Sequence, residues 1–418
     1  MMKSNSLYYP LAIVLVILAM ASLFVYFEKP SPQFSSPAPV PAKSLTLPEV
    51  IEKVNNFTLN LYGLMLASNA DKNVIVSPFN VYIALTMLYE GANSTTREEL
   101  GNAMGLDNAD ACSAYQQLLS MLPLSSNSSA VLYVANGVWL KRGFPFREDY
   151  MDGVRRCFGG DVRSFASDIN ELVDEVNSWV ANKTNNLIKN LLSRDDVPDN
   201  TVAILVSVIY FKGEWLKEFT PCGKIEFWRD SSSVKVDAME VDDTHIKVAR
   251  GDDYVAVEIP YKNTTISMVI IMPGNFSEAI KSYRDLILNA LSKLDNTKPG
   301  TLIHLIMPKF NITFRRNLND DLKKLGIREV FTGNADLSRM AYVSRGDIYV
   351  DKVVHQAIIK VYEKGTEAAA ATAIIIATAA FAYPEEVIIN KPFIYMLRDS
   401  QNKAILFIGH FIDPSQMN

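Results

Sequence analysis

Four histidines, three cysteines and the serines are the residues of this chain that could carry nucleophilic or metal chemistry. A serine or cysteine nucleophile needs a base beside it, and histidine is the usual one. The chain offers only His245, His304, His355 and His410. None stands in a GxSxG, HExxH or phosphate-loop pattern. His304 lies in the apolar stretch "TLIHLIMP" and reads as a hydrogen-bonded core histidine. His355 follows "DKVV" and by itself also reads as structural. Cys112, Cys157 and Cys222 form no CxxC or Cys/His cluster, so no metal centre is expected. Three thiols allow at most one internal bridge and leave one over; the pairing stays open. No cofactor signature is present. An enzyme is therefore not the expected class.

One stretch near the C-terminus stands apart from the rest. "EKGTEAAAATAIIIATAAFAYPEE" runs from Glu363 to Glu386, and Ala368 to Pro384 carry no charge. Three readings fit: an Ala-rich buried helix, a weak membrane span, or a latent strand. As a strand, Thr366, Ala368, Ala370, Thr372, Ile374 and Ile376 share one face. The first four are small, so the segment could enter a packed sheet without overfilling the layer beneath.

The elements that must hold such a segment are α and β mixed. "VIEKVNNFTLNLYGLMLAS" (Val50–Ser68) has helical apolar spacing. "SPFNVYIALTMLYEGA" (Ser77–Ala92) opens with a Ser cap and Pro and is apolar nearly all round, so it should be buried. Asp168 caps a further helix with Trp179 on its apolar face. "VAILVSVIYFKGEW" (Val202–Trp215), "DYVAVEIPY", "TTISMVIIMP" and "TLIHLIMPKFNITF" read as strands, as do "FIYMLR" and "AILFIG" at the end. The expected class is α+β, a large sheet flanked by helices.

The first residues differ in kind. Tyr8–Phe27 is an uncharged apolar stretch long enough as a helix to span about 30 Å, one bilayer core. Residues 1–27 read as a signal anchor or a signal peptide, 28–46 as a Pro/Ser-rich spacer, and 47–415 as one domain. The chain is then extracellular, anchored through 8–27 or secreted. Sequons at Asn56, Asn93, Asn127, Asn182, Asn263, Asn275 and Asn311 fit export. A net charge of −5 with scattered Lys and Arg argues against a nucleic-acid partner. Glu98–Leu140 holds no Lys or Arg, so no heparin-type activation is expected.

Several segments together resemble one family. "VVHQAIIKVYEKGTEAAAATA" is similar to the hinge of a serpin, a suicide inhibitor of serine proteases. "NVIVSPFNVYIALTMLYEGANSTTREEL", "VANGVWLKRGFPFREDY", "VIYFKGEW", "PKFNI", "ADLS", "NKPFIYMLRD" and "ILFIGHFIDP" resemble its other signatures, in order, over most of the chain. The resemblance implies a serpin fold: roughly nine helices around a large central mixed β-sheet, two further sheets and an exposed reactive-centre loop, here 363–386. It also implies a monomer that takes no cofactor, a membrane-anchored or secreted member of prokaryotic type.

What the resemblance implies for function is residue-specific. Glu363, Lys364, Gly365, Thr366, Glu367, Ala368, Ala369, Ala370 and Ala371 match the inhibitory hinge. Family spacing from Glu363 puts the cut bond at Ala379–Ala380; counting back from Phe393 gives Phe381 instead. Ala379 suits elastase- or subtilisin-like proteases, and Phe381 chymotrypsin-like ones. Ser77, Asn80, Ser207 and His355 map to the polar cluster under the sheet where it parts. Asn80 and Ser207 stand exchanged relative to the family. Trp215 maps to the point where insertion begins. The alternative function is a non-inhibitory serpin, a tethered binding or chaperone-like module.

Overall fold

Why the helices start where they do is local. α1 (Leu47–Ser68) begins behind Thr46, whose N–H and hydroxyl donate to the Glu49 carboxylate at 2.7 and 2.8 Å. α2 (Pro78–Gly91) begins behind Ser77, whose Oγ accepts the Asn80 N–H at 3.2 Å. Apolar residues cover all its sides, and nearly all of it is buried, as its sequence requires. α3 (Ser94–Met104), α4 (Ala111–Met121) and α5 (Glu148–Phe158) follow. α6 (Ile169–Lys183) is capped by the Asp168 carboxylate and buries Leu172, Val176 and Trp179. α7 (Phe276–Ala279) is a single turn; α8 (Tyr283–Asn296) and α9 (Asn319–Lys324) complete the helices. The structure is a computed structural model that describes residues 44–106, 109–121, 129–229, 232–366 and 383–417. Contacts group Lys43–Asn418 into one compact unit.

In chain order the first strands are β1 (Val74–Val76), β2 (Ala130–Lys141), β3 (Asp161–Phe165) and β4 (Ala203–Glu214). Then come β5 (Thr220–Arg229), β6 (Ser232–Asp243), β7 (Lys247–Arg250), β8 (Tyr254–Pro260) and β9 (Ile266–Pro273). β10 (Ile303–Pro308) and β11 (Phe310–Asn317) precede β12 (Val354–Tyr362) and the two-residue β13 (Gly365–Thr366). β14 (Glu385–Ile388), β15 (Phe393–Asp399) and β16 (Ile405–Phe411) end the chain. They form three sheets. The main sheet runs β11-β12-β13-β4-β2-β3, a second β1-β16-β15-β9-β8-β7, and a small one β14-β10-β6-β5. β2 and β3 pair parallel and most other neighbours antiparallel, so the main sheet is mixed.

α2 lies between the main and second sheets, and the principal core surrounds it. A smaller core sits under α6 on the other face of the main sheet, around Trp139, Trp179, Val206 and Val208. Period-two burial along β12, with His355, Ala357, Ile359 and Val361 buried, assigns that strand's alternate residues to the α2 side.

Two expectations need adjustment, and one left open is resolved. "TLIHLIMPKFNITF" is two strands in different sheets, because the chain turns at Lys309 from β10 in the small sheet to β11 at the edge of the main one. His304 is hydrogen-bonded, to Asp242 at 2.7 Å, but it is only half-buried on the face of the small sheet and is no core histidine. Cysteine pairing is resolved: Cys112 in α4 bonds Cys157 in α5, with Cα atoms 5.0 Å apart, and Cys222 is free. Among the described residues no helix is long and apolar enough to cross a membrane; residues 8–27 lie outside them.

Candidate functional site

The hinge predicted from the sequence enters the main sheet. Gly365 and Thr366 lie between β12 and β4 and pair antiparallel with both: Thr366 faces Val361 on one side and Gly213 on the other. Glycine is required at the first position. Gly365 has φ +152°, and a Cβ there would fall 1.9 Å from the Gly213 carbonyl oxygen. Four contacts hold the turn before it. The Trp215 indole N–H donates to the Tyr362 carbonyl and its backbone N–H to the Lys364 carbonyl, both at 2.9 Å. Phe219 N–H donates to the Glu363 carbonyl at 2.9 Å, and the Glu363 carboxylate pairs with Lys309 at 3.0 Å. Thr366 is buried, and its hydroxyl meets the Tyr261 hydroxyl at 2.6 Å. Tyr261 in turn stacks on Trp215, ring centroids 4.3 Å apart. Burial pushes the Tyr261 phenol well up, so it stays protonated and can donate.

Below Thr366 the sheet is parted. Among the described residues β4 and β12 are joined through β13 alone. Two strands bonded to opposite edges of one strand stand about 9.5 Å apart, two spacings of ~4.8 Å. The slot continues as a cavity of 410 Å³. β4 and β12 form its sides, α2 with Ser77, Asn80 and Ala84 its floor, and Ile188, Leu191 and Val197 after α6 its outer wall. It has the width of a strand and largely apolar walls, so what it can accept is an extended peptide running antiparallel to both sides.

The family model described as serpin (serine protease inhibitor) matches residues 52–414. The chain is a member of the serpin family. A serpin-like protein of Pyrobaculum aerophilum is 32% identical over 90% of this chain and 98% of its own length. Neuroserpin of Gallus gallus is 30% identical over 91% of this chain and 95% of its own. Among solved structures, cleaved Serpin 42Da superposes with TM-score 0.76 at 25% identity, covering 87% of this chain and 98% of that one.

The four polar residues read from the sequence come together in this serpin on the cavity floor. Ser77 N–H donates to His355 Nε2 at 3.1 Å, and Ser77 Oγ donates to the Leu406 carbonyl at 2.7 Å. Burial pulls the His355 pKa down to about 4, so at neutral pH the ring is uncharged and can accept. Asn80 and Ser207 bond each other twice: Asn80 Nδ2 donates to the Ser207 carbonyl at 2.6 Å, and Ser207 Oγ to Asn80 Oδ1 at 2.7 Å. The exchanged residues are thus bonded directly to each other. Trp215 lies beside the head of the slot, bonded to the turn before Gly365.

Glu367, Ala368, Ala369, Ala370 and Ala371, with Ala379, Ala380 and Phe381, lie outside the described residues, as does Asn127. Glu385 opens β14, which pairs parallel with β10, and its carboxylate meets Arg250 at 2.8 Å. Of the sequons, Asn56, Asn182, Asn263 and Asn275 are exposed, whereas Asn93 is half-buried and Asn311 sits within β11. Reading the sequence missed Tyr261 and Phe219. Their only signal is an aromatic just past a strand end, which many core residues share.

Proposed function

We propose that this serpin is a suicide inhibitor of serine proteases. The observation that carries this is the seating of Gly365–Thr366 at the head of a slot one strand wide. A protease takes 363–386 as substrate. Its serine attacks the Ala379 carbonyl, the Ala380 amine departs with the C-terminal piece, and an acyl-enzyme remains on Ala379. The freed segment then zips down the slot from Thr366. Continuing the β13 register places Ala368 beside Phe211 and Ile359, Ala370 beside Ile209 and Ala357, and Thr372 beside Ser207 and His355. Small residues therefore meet the filled layer over α2, and the hydroxyl of Thr372 meets the polar cluster. The new strand gains hydrogen bonds on both edges, and its acyl-linked protease is dragged away from the geometry deacylation needs.

Ala379 favours an elastase- or subtilisin-like target, with a chymotrypsin-like one if the bond after Phe381 is used. The protein acts outside the cell, anchored through residues 8–27 or secreted, a member of prokaryotic type with sugar at its exposed sequons. Incubation with a panel of serine proteases should give a covalent adduct stable on denaturing gels, and mass spectrometry should find the released peptide beginning at Ala380. Cleavage in the loop with no adduct from any protease refutes the trap.

A further inference from the structure

The bridge between Cys112 and Cys157 stands beside a buried amide that holds β2. Asn136 on β2 donates through Nδ2 to two different helices, to the Tyr115 hydroxyl of α4 at 2.6 Å and to the Phe158 carbonyl of α5 at 3.0 Å. Phe158 is the last residue of α5, so its carbonyl has no partner within the helix and takes the amide instead. The Tyr115 and Phe158 rings touch, centroids 4.9 Å apart. Cys112 lies one turn before Tyr115, and Cys157 immediately precedes Phe158. The bridge thus fixes the separation of the two acceptors. Asn136 Oδ1 is buried without a hydrogen-bond partner among the described residues, so the donated bonds alone orient the amide. Across the ladder Asn136 stands opposite Ser207 of β4, the residue that Asn80 grips on the slot floor. One row of the main sheet is therefore clamped twice to the helices beneath it, at Asn136 by α4 and α5 and at Ser207 by α2.

We propose that the Cys112–Cys157 bridge is a redox-dependent lock on the β4 side of the slot, acting through Asn136 as a positioning residue. With the bridge intact, α4 and α5 present Tyr115 and Phe158 as one rigid seat. With it cut, the two acceptors separate and the row keeps only the Asn80 clamp. β2 and β4 pair along nearly their whole lengths, so a loosened β2 lets β4 shift, and the slot widens more readily to an entering strand. The reductant is a dithiol. Cys112 is half-buried and Cys157 buried, so the dithiol's thiolate attacks the Cys112 sulfur and Cys157 leaves as a thiolate that takes up a proton. The second thiol then closes a cyclic disulfide and releases Cys112. Two electrons pass to the cysteines, and the dithiol is oxidised. The inference stands on the uncut sheet and needs no protease to be trapped.

The test is amide hydrogen exchange of the uncut full chain in a C222S background, which removes the free thiol from the exchange reaction. Labelling times are kept short enough that Phe393–Asp399 of β15 stays protected in every form, so global unfolding does not contribute. Reduction with dithiothreitol should speed exchange in Ala203–Glu214 of β4 about fivefold, the effect of losing one net hydrogen bond. C112S/C157S should match it, and reoxidation of the parent chain should restore the slow rate. N136A, still oxidised, should show the same gain and gain no more on reduction. Unchanged exchange in β4 on reduction overturns the lock, whether or not N136A folds. Gains from N136A and from reduction that simply multiply overturn the route through Asn136. A protease panel that yields no adduct overturns the trap and leaves this reading of the exchange data as it is.

Discussion

Tyr261 does at the residue scale what a glycine-threonine pair cannot do alone: it gives the first inserted side chain a hydrogen-bond partner in a place closed to water. An unmet Thr366 hydroxyl there would cost about 1–3 kcal/mol, so the seat selects a hydroxyl of that size. His355 and His410 set the acid limit. His410 lies between the Tyr62 hydroxyl at 3.2 Å and the Asn69 carbonyl at 3.1 Å, and burial lowers both histidines to about 4. An unfolded histidine titrates near ~6.5. The folded value is the lower one, so between the two the unfolded chain binds the extra proton. Their contribution is full above ~6.5 and is lost as the pH falls toward 4, about 3 kcal/mol each at the limit. Guanidinium midpoints should therefore drop between pH 7.5 and 4.5. Equal midpoints at the two values would contradict neutral buried rings.

At the scale of elements, the first turn of α2 holds both sides of the slot. Its cap residue Ser77 meets His355 of β12, and Asn80, one turn on, grips Ser207 of β4 at two points. A helix that carries both contacts within its first turn fixes how far the strands stand apart. The two bonds between Asn80 and Ser207 also make their substitutions interdependent. N80S and S207N should each lower the melting temperature, and N80S/S207N should fall short of the sum by about 1–2 kcal/mol of coupling. Additive losses in a double-mutant cycle would mean the pair is two separate core changes.

For the whole molecule, the strength of the fold lies away from the slot. The Cys112–Cys157 bridge closes a loop with a sequence separation of 45 and ties α4 to α5 at the edge of the principal core. Closing a loop of that length restricts the unfolded chain by about 4 kcal/mol. A reductant, or C112S/C157S, should lower the melting temperature by several degrees without abolishing adduct formation, because neither cysteine lines the cavity. A melting curve that ignores reductant would show that the bridge contributes nothing to the native state.

Much of this was legible in the chain itself. The α2 helix follows from its Ser-Pro start and all-round apolarity, and the strand character of β4, β8, β9, β15 and β16 follows from β-branched runs bounded by turns. The hinge is a matter of residue size, which sequence states directly. Its fit to the slot was not legible, because Thr366, Gly213, Tyr261 and Val361 are far apart along the chain and become neighbours only through sheet pairing. The same holds for the disulfide, which three cysteines left ambiguous, and for the split of "TLIHLIMPKFNITF" between two sheets. Local propensity fixes what a segment can be. Which edge it meets is decided by long-range register, and no window of sequence contains that.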